Sequence, residues 1–231
     1  MIDIKAIASG SSGNCYRVSD GSTALLLDAG IPIHKIQQGL DFRLSEIAGA
    51  LISHEHMDHA KAVSDLARRG LLIFGPPEVA KACACPSILS GPPLRKFTVS
   101  TWNIVPFKVV HDVTCYGYVL DSRKTGERLV YITDAAAVPY TFGQVNYMML
   151  EANYSINILS RRATEGAIKD ELAARIVQTH MDIDGAVDIL RGLDPRALKQ
   201  VWLLHLSNDN SDAEAFRRIA QQATGAEVYI A

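Results

Sequence analysis

Ser53-His54-Glu55-His56-Met57-Asp58-His59 sets three histidines and two carboxylates into the six positions 54 to 59. The apolar residues 50–53 before it read as a short strand. Residues 59–69 read as a helix, with Ala62, Val63 and Leu66 at helical spacing and Gly70 as its stop. A strand running into a helix N-terminus lets neighbouring side chains converge on one point. Imidazoles and carboxylates together suit zinc or a similar first-row metal. The His-Glu-x-x-His pattern of zinc proteases is excluded, because Asp58 stands where the second histidine would be. This segment cannot fully serve either ion of a metal pair, so further ligands must come from later in the chain.

Three later strands end on suitable residues. Residues 103–110 run into His111, residues 128–133 into Asp134, and residues 201–204 into His205. Polar residues at the tips of apolar runs lie where loops cluster and sites are built. A histidine on an apolar face is ordinarily a hydrogen-bonded core residue, and recurrence at separate strand ends weighs against that reading here.

The remaining pattern surrounds these ends with ordinary elements. Strands are expected over 2–7, 15–19, 24–28, 71–74, 97–100, 113–120 and 147–150, with an edge strand over 227–230. Helices are expected over 33–40, 77–84, 164–179, 183–191 and 212–224. No repeat, linker or low-complexity segment interrupts them, and Pro92-Pro93 sits in a loop too short to divide domains. Strands and helices in two successive halves imply two sheets flanked by helices within one domain, residues 1–231.

Composition narrows the function. The chain has 231 residues, 48% hydrophobic and 21% charged, with a formal net charge of −2. That excludes a disordered or fibrous chain, and no apolar run reaches the roughly 18 residues of a membrane span. Balanced charge argues against a broad polyanion-coating surface. Arg68-Arg69, Arg95-Lys96 and Arg161-Arg162 are the candidate local basic patches, against the ordinary reading of solvated surface. No secretory leader is evident at residues 1–14, so Cys15, Cys83, Cys85 and Cys115 read as free thiols of a cytoplasmic protein. Cys83-Ala84-Cys85 lacks zinc-knuckle spacing and a second ligand pair.

The whole set resembles the metallo-β-lactamase fold superfamily: His54-x-His56-x-Asp58-His59, Asp28 upstream, and His111, Asp134 and His205 downstream. It is most similar to the YycJ/WalJ-like branch, described as DNA exonucleases. The carrying segments are Ala8-Ser9-Gly10-Ser11-Ser12-Gly13-Asn14-Cys15, Asp28-Ala29-Gly30, Glu151-Ala152-Asn153 and His205-Leu206-Ser207 with Asn208 to Asn210. The resemblance implies an α/β protein, a four-layer αββα sandwich with metals at one edge of its sheets. It implies that His54, His56 and His111 hold a first metal, that Asp58, His59 and His205 hold a second, and that Asp134 bridges them. Two metals about 3.5–4 Å apart share a hydroxide and lower the pKa of bound water to about 7. Asp58 would orient that hydroxide, and Asp28 would support the metal loop through hydrogen bonds. Histidine at position 56, where the di-iron relatives carry glutamate, favours zinc; manganese stays open.

Weaker features carry two readings each. Residues 9–14 fit a backbone cradle for phosphate, with Ser11 and Asn14 as contacts, or a tight hairpin turn. They are no P-loop, because no lysine follows in the required register. His180 lies in a segment similar to the branch's Gly-His-x-Ser-Asn, with Thr179 and Asp182 in place of Gly and Ser. It reads as a contact to substrate phosphate or an acid for the leaving group, and Asp182 or Asp184 as helix caps. Ser207 and Asn208 read as pocket residues, Asp212 as a cap, and His34 as surface. Asp134-Ala135-Ala136-Ala137 departs from the Thr-Gly the branch would place after the aspartate.

The expectation is a dimetal-dependent phosphodiesterase, a DNA nuclease using a metal-bridging hydroxide. Its substrate partner is nucleic acid; no membrane and no obligate protein partner are implied. The alternatives are a thioester, lactone or lactam hydrolase with the same centre, and a metal-bearing module without turnover. A ribonuclease with an inserted clamping domain has no spare segment here to supply it.

Overall fold

The structure, a computed structural model, describes residues 1–231. Two compact units emerge: Met1–Lys108 with Val113–Arg128, and Val109–Asp112 with Leu129–Ala231.

The first unit is built on β1 (Asp3–Ala8), β2 (Cys15–Ser19), β3 (Ala24–Leu27), β4 (Ile47–Leu51) and β5 (Ile73–Phe74), paired in that order. The first three run antiparallel through tight turns, and β3, β4 and β5 run parallel. Every side chain of β3 is buried, as expected of a strand covered on both faces. The register sets Leu27 against Leu51, so the residues after β3 and after β4, Asp28 and Ser53, leave the sheet side by side. Helices α1 (Ile33–Gly39), α2 (Met57–Ala60), α3 (Val63–Arg68) and α4 (Pro77–Ala82) contribute Ile36, Val63, Leu66 and Val79 to one apolar core with Leu26, Ile52 and Ile73. Strands β6 (Phe97–Val99) and β7 (Trp102–Val109) form a hairpin, with β8 (Cys115–Ser122) beside β7.

The expected helix over 59–69 is instead two short helices. The Ala62 amide donates to the Ala29 carbonyl at 2.8 Å, which takes it out of the helical ladder and separates α2 from α3. That break ties the metal-candidate segment to the loop after β3.

The second unit carries β9 (Arg128–Ile132), β10 (Tyr147–Glu151), β11 (Gln200–Leu204) and β12 (Glu227–Ile230), all parallel, with β12 at the edge as expected. β10 is buried along its whole length. The helices are α5 (Ile156–Thr164), α6 (Asp170–Thr179), α7 (Ile183–Arg191) and α8 (Ala213–Thr224). The single helix expected over 164–179 is corrected: α5 closes at Gly166, whose φ of 69° ends the turn, and α6 starts again at Asp170. Asp182 and Asp212 cap α7 and α8 by accepting the amides of Gly185 and Ala215.

Candidate metal centre

In the first unit the metal-candidate segment is held from below by Asp28. Its Oδ1 accepts the Ser53 amide at 2.7 Å, and its Oδ2 accepts the Ser53 hydroxyl at 2.9 Å and lies 2.7 Å from Nδ1 of His59. Asp28, Ser53, His54 and His59 are all fully buried. Ser53 Oγ also lies 3.0 Å from Nδ1 of His54, and Cys115 Sγ is 3.7 Å from the same nitrogen. Both rings thus have one nitrogen tied to a supporting group and present the opposite edge, carrying Nε2. A carboxylate behind an imidazole fixes its tautomer and raises its basicity as a ligand. The ring of His54 lies 4.7 Å from that of His56 and 4.3 Å from that of His59, and Nε2 of His59 is 3.5 Å from the Asp58 carboxylate.

The glycine-serine segment after β1 is a brace. Gly13 donates to the Gly10 carbonyl, and the Gly10 amide donates to Oδ1 of Asn14, which closes the hairpin turn. The Asn14 amide donates to the Asp58 carbonyl at 2.7 Å, Gly30 donates to Asn14 O, and Ala29 donates to His59 O. Asn14 is fully buried and its Nδ2 lies 3.1 Å from Nε2 of His59. Ser11 is exposed at the turn. Gly30 has no room for a side chain, since a Cβ there would sit 1.6 Å from the Asp58 carbonyl oxygen.

The second unit gathers Asp134, Glu151, His180 and His205, each offering a ligand atom within 4.8 Å of the others. They lie at the carboxyl ends of parallel strands, where open α/β sheets place their sites. Asp134 accepts the Thr133 hydroxyl at 2.7 Å, and its Oδ1 is 3.8 Å from Nε2 of His205. Asn153 Nδ2 donates to the carbonyl of His205 at 2.8 Å and lies 3.0 Å from its Nδ1. His111 donates Nδ1–H to the Thr179 carbonyl at 2.9 Å. The departing alanine segment has a structural use, since Ala136 donates to Val110 O and Val110 to Ala137 O, pinning the residue before His111.

Sequence reasoning missed Glu151 and Asn153 as site residues. Glu151 is fully buried; its Oε2 accepts the amides of Ala135 and Met181, and its Oε1 lies 2.6 Å from Nδ1 of His180. The signal was an acid ending an otherwise apolar strand, within the quoted Glu151-Ala152-Asn153 segment. His180 is half-buried and stacks on His205 at 5.3 Å between ring centres. Ser207 is engaged in its own turn, with Oγ accepting from the Asn210 amide and Nδ2, while Asn208 is exposed. His34 is exposed, as expected.

Strain marks the same positions. Asp28, Asp134 and His205 have φ of 57°, 45° and 55°, in the left-handed region that costs non-glycine residues roughly 1–3 kcal/mol. Each turns the chain sharply at a strand end. The thiols are free, and burial pushes those of Cys15 and Cys83 upward, with Asp28 adding to the effect at Cys15. No helix is long and apolar enough to cross a membrane.

Donor chemistry fits a divalent metal in both clusters: imidazoles and carboxylates, buried, with their far sides tied to Asp28, Ser53, Asn153 or a carbonyl. Comparison with known proteins agrees. The model of the beta-lactamase superfamily domain matches residues 23–206. The chain is 25% identical over 236 residues to exodeoxyribonuclease YycJ of Bacillus anthracis, covering 96% of this chain and 88% of that one. It is 26% identical over 228 residues to exodeoxyribonuclease WalJ of Streptococcus pneumoniae, covering 90% and 82%. The crystal structure of the metallo-beta-lactamase fold protein YhfI from Bacillus subtilis superposes with a TM-score of 0.78 at 18% identity, over 100% of this chain and 97% of that one. The fold is therefore the α/β metallo-β-lactamase fold.

Proposed function

The chain belongs to the beta-lactamase superfamily domain family and is a hydrolase, and from that premise we propose that it is a metal-dependent phosphodiesterase acting on DNA as an exonuclease. The observation that carries this reading is the carboxylate-backed histidine pair of the first unit, Asp28 behind His59 and Ser53 behind His54. It is joined by similarity over 90% or more of the chain to proteins named exodeoxyribonucleases. The two units act as one catalytic domain in this proposal.

The ligand set follows the family resemblance. His54, His56 and His111 would hold one ion, Asp58, His59 and His205 the other, and Asp134 both. Two zinc ions, with manganese as the other candidate, would supply Lewis acidity at the scissile phosphate and a nucleophile at neutral pH. The chain's own groups do the rest. Asp28 and Ser53 hold the imidazoles in one orientation. The Asp58 carboxylate accepts a proton bond from the attacking group and orients it. Glu151 fixes His180 through Nδ1, which leaves Nε2 to carry a proton to the departing alkoxide. Ser11, Ser207 and Asn208 are the polar groups offered to the strand, and Asn14 serves through the support it gives His59. Free thiols and the enzyme's DNA substrate place it in the cytoplasm.

The test is turnover of 5′-phosphorylated DNA beside bis-p-nitrophenyl phosphate and a panel of chromogenic esters, thioesters and lactones, with Zn²⁺ or Mn²⁺. Preferential hydrolysis of DNA is the expected result. Turnover confined to the esters or lactones would overturn it in favour of a small-molecule hydrolase, and metal uptake without any turnover would leave a binding module.

A further inference from the structure

Among the three basic pairs singled out in the sequence, Arg68 and Arg69 both face Asp65, and Arg162 faces Asp209. Arg95 and Lys96 are exposed, and neither forms an ion pair. They border a pocket of about 360 Å³ in the first unit, whose walls include Phe74, Phe97, Tyr116 and Tyr118 and no carboxylate. That volume lies in the range of small-ligand sites. Phe74 and Phe97 are half-buried and stacked, 4.9 Å between centres and 19° between planes. Each ring gives one face to the other and keeps one for a further aromatic partner.

The walls are fixed. Leu89 donates to Ile73 O, Leu94 to Pro106 O, and the Ser90 hydroxyl to Gly75 O, which holds the loop bearing Arg95 and Lys96 against β5 and β7. They are also close to the metal-candidate loop. The Ile52 amide donates to Phe74 O, and the Tyr116 amide to Ser53 O, the residue before His54. At about 3.3 Å per residue, His54 begins roughly two residues, or 7 Å, beyond the pocket floor.

We infer that this pocket binds one nucleotide of a single strand, its base against the Phe74–Phe97 pair and its phosphate at Arg95 and Lys96. Aromatic faces beside unpaired cations are the means by which proteins hold single-stranded nucleic acid without reading its sequence. The inference rests on the nuclease reading for the identity of the strand. It gives the enzyme a grip on DNA despite its balanced overall charge, by concentrating two cations where the strand must pass.

The test is fluorescence anisotropy of labelled, 5′-phosphorylated single-stranded DNA on the full chain in EDTA, across a salt series. Arg95→Glu with Lys96→Glu should weaken binding at least tenfold and lower the slope of log K against log salt by about 1.4, at roughly 0.7 per phosphate lost. Phe97→Leu, which keeps the apolar volume, should weaken a base-bearing strand at least about fivefold and leave an abasic strand of equal charge unchanged. Melting temperature, and turnover of bis-p-nitrophenyl phosphate by the metal-loaded variants, should match the wild type. Unchanged affinity in the variants, equal loss on abasic DNA, or tighter binding of an acidic peptide than of DNA would overturn the inference. A wild type that binds DNA here but cleaves none sinks the nuclease reading alone. A wild type that cleaves DNA with the same KM as these variants sinks the pocket alone.

Discussion

The Asp28 carboxylate stands 2.7 Å from Nδ1 of His59, with both groups fully buried, and the same carboxylate takes the backbone and hydroxyl of Ser53. One acid thereby orients two imidazoles of the candidate centre, since Ser53 passes the contact on to His54. Asp28→Asn keeps the shape and removes the charge. Metal affinity and hydrolysis should each fall about 10–100-fold, the usual effect of losing a ligand's carboxylate partner. Elemental analysis at limiting metal and the rate at saturating metal separate the two effects.

Gly30 lies under the Asp58 carbonyl with no space for a methyl group. Gly30→Ala forces that backbone aside, at an overpacking cost of about 1–3 kcal/mol or more. The melting temperature should fall, and metal content should fall with it, because Asp58 and His59 move together. A variant with wild-type melting and metal content would contradict the close approach.

Asp20 is buried and accepts the amides of Ser22 and Thr23 and the Ser122 hydroxyl. Burial alone would raise its pKa, but the accepted hydrogen bonds outweigh that and hold it below the usual aspartate value. The folded pKa is the lower one. Its stabilisation is therefore complete above about pH 4, the unfolded value, and is lost as pH falls through the folded value. Asp20→Ala should cost on the order of 2 kcal/mol at pH 7, by leaving buried amides unpaired. The gap in melting temperature between wild type and variant should close in acid.

Much of this was legible in the sequence, for stated reasons. The metal-candidate residues sit at strand tips, and apolar runs of four to eight residues show where strands end. Asp28 could be placed behind the loop because an acid ending a buried strand needs a partner. The helix break at Ala62 was not legible, because it depends on a long-range bond to Ala29. Gly166 was a visible stop that the apolar periodicity of residues 164–179 obscured. Glu151 was missed because its partners, Ala135, Met181 and His180, are brought to it by parallel pairing that no local pattern displays. The glycine-serine turn looked equally suited to phosphate and to a hairpin. The structure commits the amides of Gly10, Gly13 and Asn14 to internal bonds.

His180 is fixed by Glu151 and stacked on His205. If it delivers a proton to the leaving group, His180→Ala should slow DNA hydrolysis about 100-fold or more. Bis-p-nitrophenyl phosphate should be far less affected, because nitrophenolate departs without protonation. Glu151→Gln should follow the same pattern more weakly. Equal losses on both substrates would assign His180 to binding or support instead.

The most direct measurement is nucleotide release from 5′-phosphorylated DNA by wild type and His56→Ala, each with Zn²⁺ or Mn²⁺ and each with EDTA. The expected result is release by the metal-loaded wild type, abolished by EDTA and by the substitution, with the variant still folded. No release with either metal, or release that survives His56→Ala, would contradict a metal-dependent nuclease built on this histidine cluster.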